Sequence, residues 1–294
     1  MRYLIKSLTK NLTKNSTKNL PLKKTSGFTL MELIIVIIIM GVMSVGIAGF
    51  INLSTQTYLN VIERDELLAN ARFAVERLNR EVRNAVPNSM REKSNSITRC
   101  LEFVPIIAST IYTEIPVAPD AADQNIDVVP FELANGNDYR CDASSVSDPC
   151  NDVVIVYPLK KSEVYQAHND NLGKAFQIRK YPAASDSELE LLQKITFTED
   201  SPTNRAYIFN SPVSYCLNGG TLKRYVGYAF QVTQALPPSI EGSLMAEGLD
   251  FSSSSFTVFE ASLQRNAVVQ IKLNFTRDGE QVVFDNAIHI TNIP

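Results

Sequence analysis

One carboxylate, Glu32, opens a long uncharged stretch: no other charge occurs between Lys24 and Glu63, and none of the nineteen residues Leu33 to Ile51 carries one. That length suffices for a helix to cross a bilayer. A carboxylate at the start of such a span is expensive in hydrocarbon, so it implies a role and a partner. Left alone it would be protonated or would weaken insertion, whereas a facing ammonium compensates it. The plainer alternative is an ordinary signal anchor with an incidental Glu.

The other groups able to do chemistry are few. Cys100, Cys141, Cys150 and Cys216 all follow the apolar run, and an even number in an oxidising compartment points to two disulfides. Of three possible connectivities the preferred one is Cys141–Cys150, which staples an Asp/Ser-rich loop, with Cys100–Cys216 as its complement. These are expected as structural staples. No Cys-x-x-Cys is present, which argues against a thiol oxidoreductase, and spacings of 41, 9 and 66 lack the close pairs of a structural zinc site. His168 falls in a polar loop and His289 in a terminal strand, and each reads as a surface or satisfied residue. No Gly-x-Ser-x-Gly, His-Glu-x-x-His or Gly-x-x-x-x-Gly-Lys-Ser/Thr occurs. Asn135, Asn137, Asp138 and Asp142 gather oxygen donors, but not at EF-hand spacing, so a solvated loop is preferred to calcium. The expectation is no enzyme, no cofactor and no metal.

The flanks of the apolar run set its direction. Residues 1–27 hold Arg2, Lys6, Lys10, Lys14, Lys18, Lys23 and Lys24 and no acid. Positive charge stays cytoplasmic, so the carboxyl-terminal bulk should lie across the membrane. Removing this +7 segment from a chain of net charge −3 leaves −10, unsuited to nucleic acid through a general basic surface. A secretory signal would be cut after its apolar core, but that core continues past Phe50 without an A-x-A site. The better break lies before it, between Gly27 and Phe28.

The segment Lys24-Thr25-Ser26-Gly27-Phe28-Thr29-Leu30-Met31-Glu32 resembles the class III leader of type IV prepilins and type II secretion pseudopilins. The resemblance implies that a membrane prepilin peptidase cuts after Gly27 and methylates the new terminal Phe28. It further implies that Glu32, the fifth mature residue, pairs with the terminal amine of a neighbouring subunit during assembly. One departure matters: major pilins usually carry Pro at the twenty-second mature residue, which here is Gly49. Together with a mature chain of 267 residues, this fits a large minor pilin better than a main structural subunit.

The elements that must position these groups follow from periodicity. No Pro occurs between Pro21 and Pro87, so a helix is expected from Phe28 to about Val86, roughly 90 Å long. Leu68, Ala71, Val75, Leu78, Val82 and Ala85 recur at spacings of 3, 4, 3, 4 and 3, one apolar stripe. The stripe is read as packing on the protein's own sheet, with a coiled coil to a partner as the alternative. Glu76 and Arg80 form a favourable i,i+4 pair on another face, and Asn84 to Ser89, with Pro87, ends the helix.

Beyond about residue 97 the pattern turns to strands. Val226, Tyr228, Phe230 and Val232 alternate with their neighbours, as do Val269, Ile271, Leu273 and Phe275, and Asp278-Gly279 turns the latter into Gln281–Phe284. Val153–Val156 and Lys194–Thr198 are further strands; Pro116–Asn125, Ala183–Glu188 and Ser252–Ser255 read as loops.

The expected fold is α+β and pilin-like: a long N-terminal transmembrane and amphipathic α-helix packed on an antiparallel β-rich head of up to two packed sheets. Residues 1–27 are the removed leader, 28–55 the membrane-spanning half of the helix, 56–86 its amphipathic half, and 87–294 one exported head.

The segments Cys100–Ile106 and Asn286–Pro294 resemble large minor pilins of the PilW and pseudopilin-J type, and among them those of mannose-sensitive haemagglutinin (MSHA) pilus biogenesis. The implied partners are prepilin peptidase, other minor and major pilins, and the inner-membrane assembly platform. The implied location is a single inner-membrane span with a cytoplasmic N-terminus and a periplasmic head, and then the pilus tip. Two alternatives stand beside this: a J-type pseudopilin, and an adhesin module whose Tyr207, Phe209, Tyr215, Tyr225, Tyr228 and Phe230 line a glycan site. The preferred role for most of those aromatics is sheet core.

Overall fold

The computed structural model describes residues 27–294 except 134–135, 147–148, 167, 169, 182–185, 262–266, 278 and 291–294. The chain forms two compact units, Met1–Leu59 and Asn60–Pro294, and the first helix, α1 (Leu30–Arg83), contributes to both. In the first unit every described residue is exposed, although most are apolar.

In the second unit α1 buries Leu67, Ala71, Ala74, Val75, Leu78 and Val82. The expected stripe is present with one correction: Leu67, not Leu68, is its first fully buried member. Leu67, Ala71, Ala74, Leu78 and Val82 keep spacings of 3 and 4, and Leu68 stands one residue, about 100°, off that line. The i,i+4 pair that forms is Arg77–Glu81 at 3.0 Å, and Glu76–Arg80 is not among the ion pairs of the described residues. Glu81 also accepts from Arg224 at 2.9 Å and from the Tyr215 hydroxyl at 3.1 Å, tying the helix to the sheet beneath. The chain leaves the helix at Asn84, and Asn88 takes the left-handed conformation (φ 58°) just after Pro87.

Strands β1 (Arg91–Ser94) and β2 (Thr98–Phe103) come next, then β3 (Ala108–Glu114), β4 (Asp123–Val128), β5 (Cys141–Asp142) and β6 (Val153–Val156). A short helix α2 (Lys161–Tyr165) precedes β7 (Leu172–Gly173), β8 (Ala175–Tyr181), β9 (Glu188–Phe197) and β10 (Arg205–Phe209). The chain finishes with β11 (Val213–Asn218), β12 (Thr221–Val226), β13 (Ser243–Ala246), β14 (Ser255–Phe259), β15 (Val268–Arg277) and β16 (Glu280–His289).

These make three sheets, not the one or two expected. The first has the order β1-β2-β11-β12-β13, and the third β14-β15-β16. Together with α1 they share one core, which holds Leu78 of the helix, Leu101, Phe103 and Tyr215 of one sheet and Val269, Ile271 and Phe275 of the other. The middle sheet runs β5-β8-β6-β10-β3-β4-β9-β7, and because β9 also pairs with β8, six of its strands close into an antiparallel barrel. Closure removes the edges that an open sheet would leave. Phe176, Ile178, Leu189, Leu191, Ile195 and Phe197 belong to a separate core built by the barrel strands.

β6 shows why a wholly apolar run can be a barrel strand. Val154 and Val156 join the barrel core, while Val153 and Ile155 face Val86, Val104, Val164 and Tyr165 on the other side. Both faces are covered, so alternation vanishes.

Four further expectations are adjusted. The alternation at 226–232 is not a strand: β12 ends at Val226, Gly227 turns at φ 79°, and Val232 is 75% exposed. Asp123 to Asn125 belong to β4, paired with β9, not to a loop. Lys194 onward is the end of the longer β9, and Ser255 already starts β14. The hairpin of β15 and β16 is as read, with Gly279 at φ 87°; Glu188, read as the end of a loop, starts β9, while Asp278, residues 183–185 and the last four residues lie outside the described residues.

Candidate functional site

The scissile position read from the sequence lies just ahead of α1. Gly27, Phe28 and Thr29 belong to no regular element and are exposed, Phe28 by 76%. A side chain added at Gly27 would meet nothing within 4 Å. Thr29 caps the helix: its hydroxyl accepts from the Glu32 amide at 3.3 Å, and its carbonyl accepts from the amides of Glu32 (3.1 Å) and Leu33 (3.2 Å). Glu32 sits in the first turn, where a negative charge suits the free amides of the helix start. Residues 1–26 of the read leader lie outside the described residues.

The helix that follows is built to lie in an apolar medium. Three of its hydroxyls bond back to the helix: Ser44 donates to the Met40 carbonyl at 2.7 Å, Thr55 to Ile51 at 2.8 Å and Thr57 to Leu53 at 2.9 Å. Gly41, Gly46 and Gly49 have no neighbour within 4 Å of where a Cβ would stand, so nothing inside this chain requires glycine there. Among the described residues one helix is long and apolar enough to cross a membrane, and its most apolar window has a mean hydropathy of 2.8.

A family model for the prokaryotic N-terminal methylation motif matches residues 22–48. The match supports a type IV pilin-like protein. No curated protein and no solved structure matches the chain. The prepilin motif implies processing by a peptidase and assembly with other pilins, and with the apolar helix it fits a single-pass inner-membrane anchor.

The remaining candidates of this pilin-like chain are placed as follows. Cys100 pairs with Cys216 and Cys141 with Cys150. Cys100 and Cys216 are directly opposed in the β2–β11 register, their Cα atoms 4.1 Å apart. Oxidised sulfurs offer no thiolate to zinc, and Cys141, Cys150 and Asp152 are the only ligand-type cluster among the described residues.

His168 is not on an open polar loop. Its ring meets Phe230 at 5.0 Å and Phe209 at 5.8 Å, its Nε2 lies 3.0 Å from the Val164 carbonyl, and burial lowers its pKa. His289 is exposed at the end of β16. The calcium candidates are engaged separately: Asp138 pairs with Arg140 at 3.6 Å, and Asp142 accepts from the Ser144 amide and hydroxyl; Asn135 lies outside the described residues. The six aromatics do not line a surface. Tyr207, Phe209, Tyr215, Tyr225 and Tyr228 are buried and Phe230 packs against a core, so the glycan platform read for them is not formed.

Sequence reasoning missed a buried ion pair. Arg91 holds Glu102 at 2.6 Å, donates to the carbonyls of Gln231 and Val232, and lies 3.5 Å over the Tyr165 ring. Burial pushes the Glu102 carboxyl up, against the pull of Arg91. The pair pins the segment after β12 to the β1–β2 sheet. Its only sequence trace is two charges eleven residues apart in strand-like segments, which is no signal at all.

Proposed function

We propose that the protein is a non-enzymatic minor pilin of a type IV pilus, of the kind that primes or caps assembly of MSHA-like surface-adhesion fibres, and that it most resembles the biogenesis protein MshO. The observation that carries this reading is the exposed Gly27–Phe28 junction directly ahead of a capped, unpartnered apolar helix with one first-turn carboxylate. Cleavage there frees an amine at Phe28, one helical turn from Glu32. In a low-dielectric fibre core an unpaired Glu32 is costly, and the amine of a neighbouring subunit relieves it, so the contact fixes register while apolar packing supplies affinity. The β-rich head then faces the periplasm and, after assembly, the outside.

Glu32→Val is expected to insert and be cleaved normally but to be lost from the fibre. Recovery of this variant in sheared pili at wild-type levels would overturn the assembly role. Gly27→Leu should retain the leader on a gel. A J-type pseudopilin role is the second reading, favoured by the same helix and the large head. Deleting the gene and measuring surface pili and exported proteins in the same cultures separates the two.

A further inference from the structure

β12 and β13 are hydrogen-bonded neighbours, Arg224 opposite Ser243, so a short turn could have joined them. Instead residues 227–242, which form no regular element, cross the face of the first sheet that points away from α1. This strap is fastened along its whole length. Gly227 turns it off β12 at φ 79°. The Tyr228 hydroxyl lies 2.7 Å from Ser214 Oγ. Arg91 donates to the carbonyls of Gln231 and Val232, each at 2.8 Å, and Lys93 Nζ donates to the Gln234 carbonyl at 3.0 Å. At the far end the chain runs so close to Tyr225 that a Cβ on Gly242 would stand 2.6 Å from the ring.

What the strap covers is the Cys100–Cys216 bond. Both cysteines are 1% exposed, yet neither belongs to the core that holds α1. They cluster with Tyr225, Tyr228 and the strap's Leu236, and Gln234 Nε2 donates to the Cys100 carbonyl at 3.2 Å. The sheet sets two cations beside them. Lys93 on β1 is opposite Cys100, and Lys223 on β12 is opposite Cys216, so Lys93, Cys100, Cys216 and Lys223 make one row across four strands, on one face. An ammonium beside a sulfur favours the thiolate, which is the leaving group in thiol–disulfide exchange.

We propose that the strap is a guard over a reactive disulfide. Closed, it keeps thiols away from Cys100–Cys216. Open, it exposes a bond that Lys93 and Lys223 activate toward a dithiol. One thiolate of the dithiol attacks one cysteine sulfur, and the other cysteine leaves as a thiolate beside its lysine. The second thiol of the reagent then displaces the first cysteine. The protein gains two thiols and the dithiol becomes a disulfide, so two electrons and two protons pass to the protein. Lys93 is a clasp of the closed strap, and opening frees its ammonium to face the sulfurs. An irregular segment held by a few side chains opens at lower cost than the strand ladder beneath it. The guard does not depend on the helix or on fibre assembly.

The full chain in detergent is treated with dithiothreitol at about pH 8, where the reagent is partly thiolate. Free thiols are blocked with iodoacetamide at intervals, and mass spectrometry follows each bond. Cys141–Cys150, with Cys150 only partly buried, is expected to open first, and Cys100–Cys216 at least about tenfold more slowly. Leu236→Ala and the milder Gln234→Ala loosen the cover and should each speed loss of Cys100–Cys216 about tenfold. An unchanged Cys141–Cys150 rate in the same samples shows that the rest of the fold is kept. In the Gln234→Ala background, Lys223→Met should slow the exchange about threefold, which loss of cover alone would not do. Equal rates for the two bonds in the wild type, strap variants that leave Cys100–Cys216 as slow as before or speed both bonds alike, or indifference to Lys223→Met overturns the inference.

Discussion

The two disulfides should differ in worth, because they close loops of very different length. Cys100–Cys216 spans 116 residues and encloses the whole barrel, whereas Cys141–Cys150 spans 9. In the chain-entropy account the first restricts the unfolded chain by about 4.8 kcal/mol at 25 °C and the second by about 2.6 kcal/mol. Burial adds in the same direction, since Cys100 and Cys216 are both buried and Cys150 is only partly so. The double variant Cys100→Ala/Cys216→Ala should therefore lose about 2 kcal/mol more than Cys141→Ala/Cys150→Ala. The assay is urea unfolding of the oxidised full chain in detergent. Tyrosine emission and far-UV circular dichroism follow it, because the chain has 11 tyrosines and no tryptophan. Equal losses, or a larger loss for the short loop, would refute the argument that loop length ranks the two bonds.

Three further outcomes are expected. Leu78→Ala, at the point where α1 meets two sheets, should lower the unfolding free energy by about 2–5 kcal/mol, whereas Phe73→Ala on the exposed face should change it by under about 0.5 kcal/mol; urea midpoints compare them. Arg91→Leu leaves Glu102 buried without its partner and should cost about 3–5 kcal/mol, and adding Glu102→Leu should restore much of the loss in a double-mutant cycle.

Asp152 gives a pH signature. Its folded pKa lies above the unfolded value of about 3.9, so the native state holds more protons between the two, and stability falls as pH rises through that window. Between pH 3.5 and 7 the thermal midpoint should fall more in the wild type than in Asp152→Asn, the difference isolating this carboxyl from Glu92 and Glu102, which burial also raises.

Much of this protein is written locally. Gly27, Phe28 and Glu32 lie within six residues, and a long uncharged stretch follows, so the methylation motif and the membrane-anchor helix are both written in nearest-neighbour chemistry. The β15–β16 hairpin was legible for the same reason: strict alternation on both sides of one turn. The α1 stripe was legible to within one residue, because a helix repeats its face every three to four positions whatever it packs on.

Only the tertiary structure decided what those elements face. β9 pairs with its neighbour β8 and also with β4, where Asn125 lies opposite Glu190, and that second, distant pairing is what closes the barrel. Residues 226–232 alternate like a strand but turn at Gly227, and Arg91 donates to the carbonyls of Gln231 and Val232 beyond the turn. His168 looked like a loop residue and lies among phenylalanines. A sequence records which residues are apolar and at what period; it does not record which of many equally apolar surfaces meet, and that choice belongs to packing.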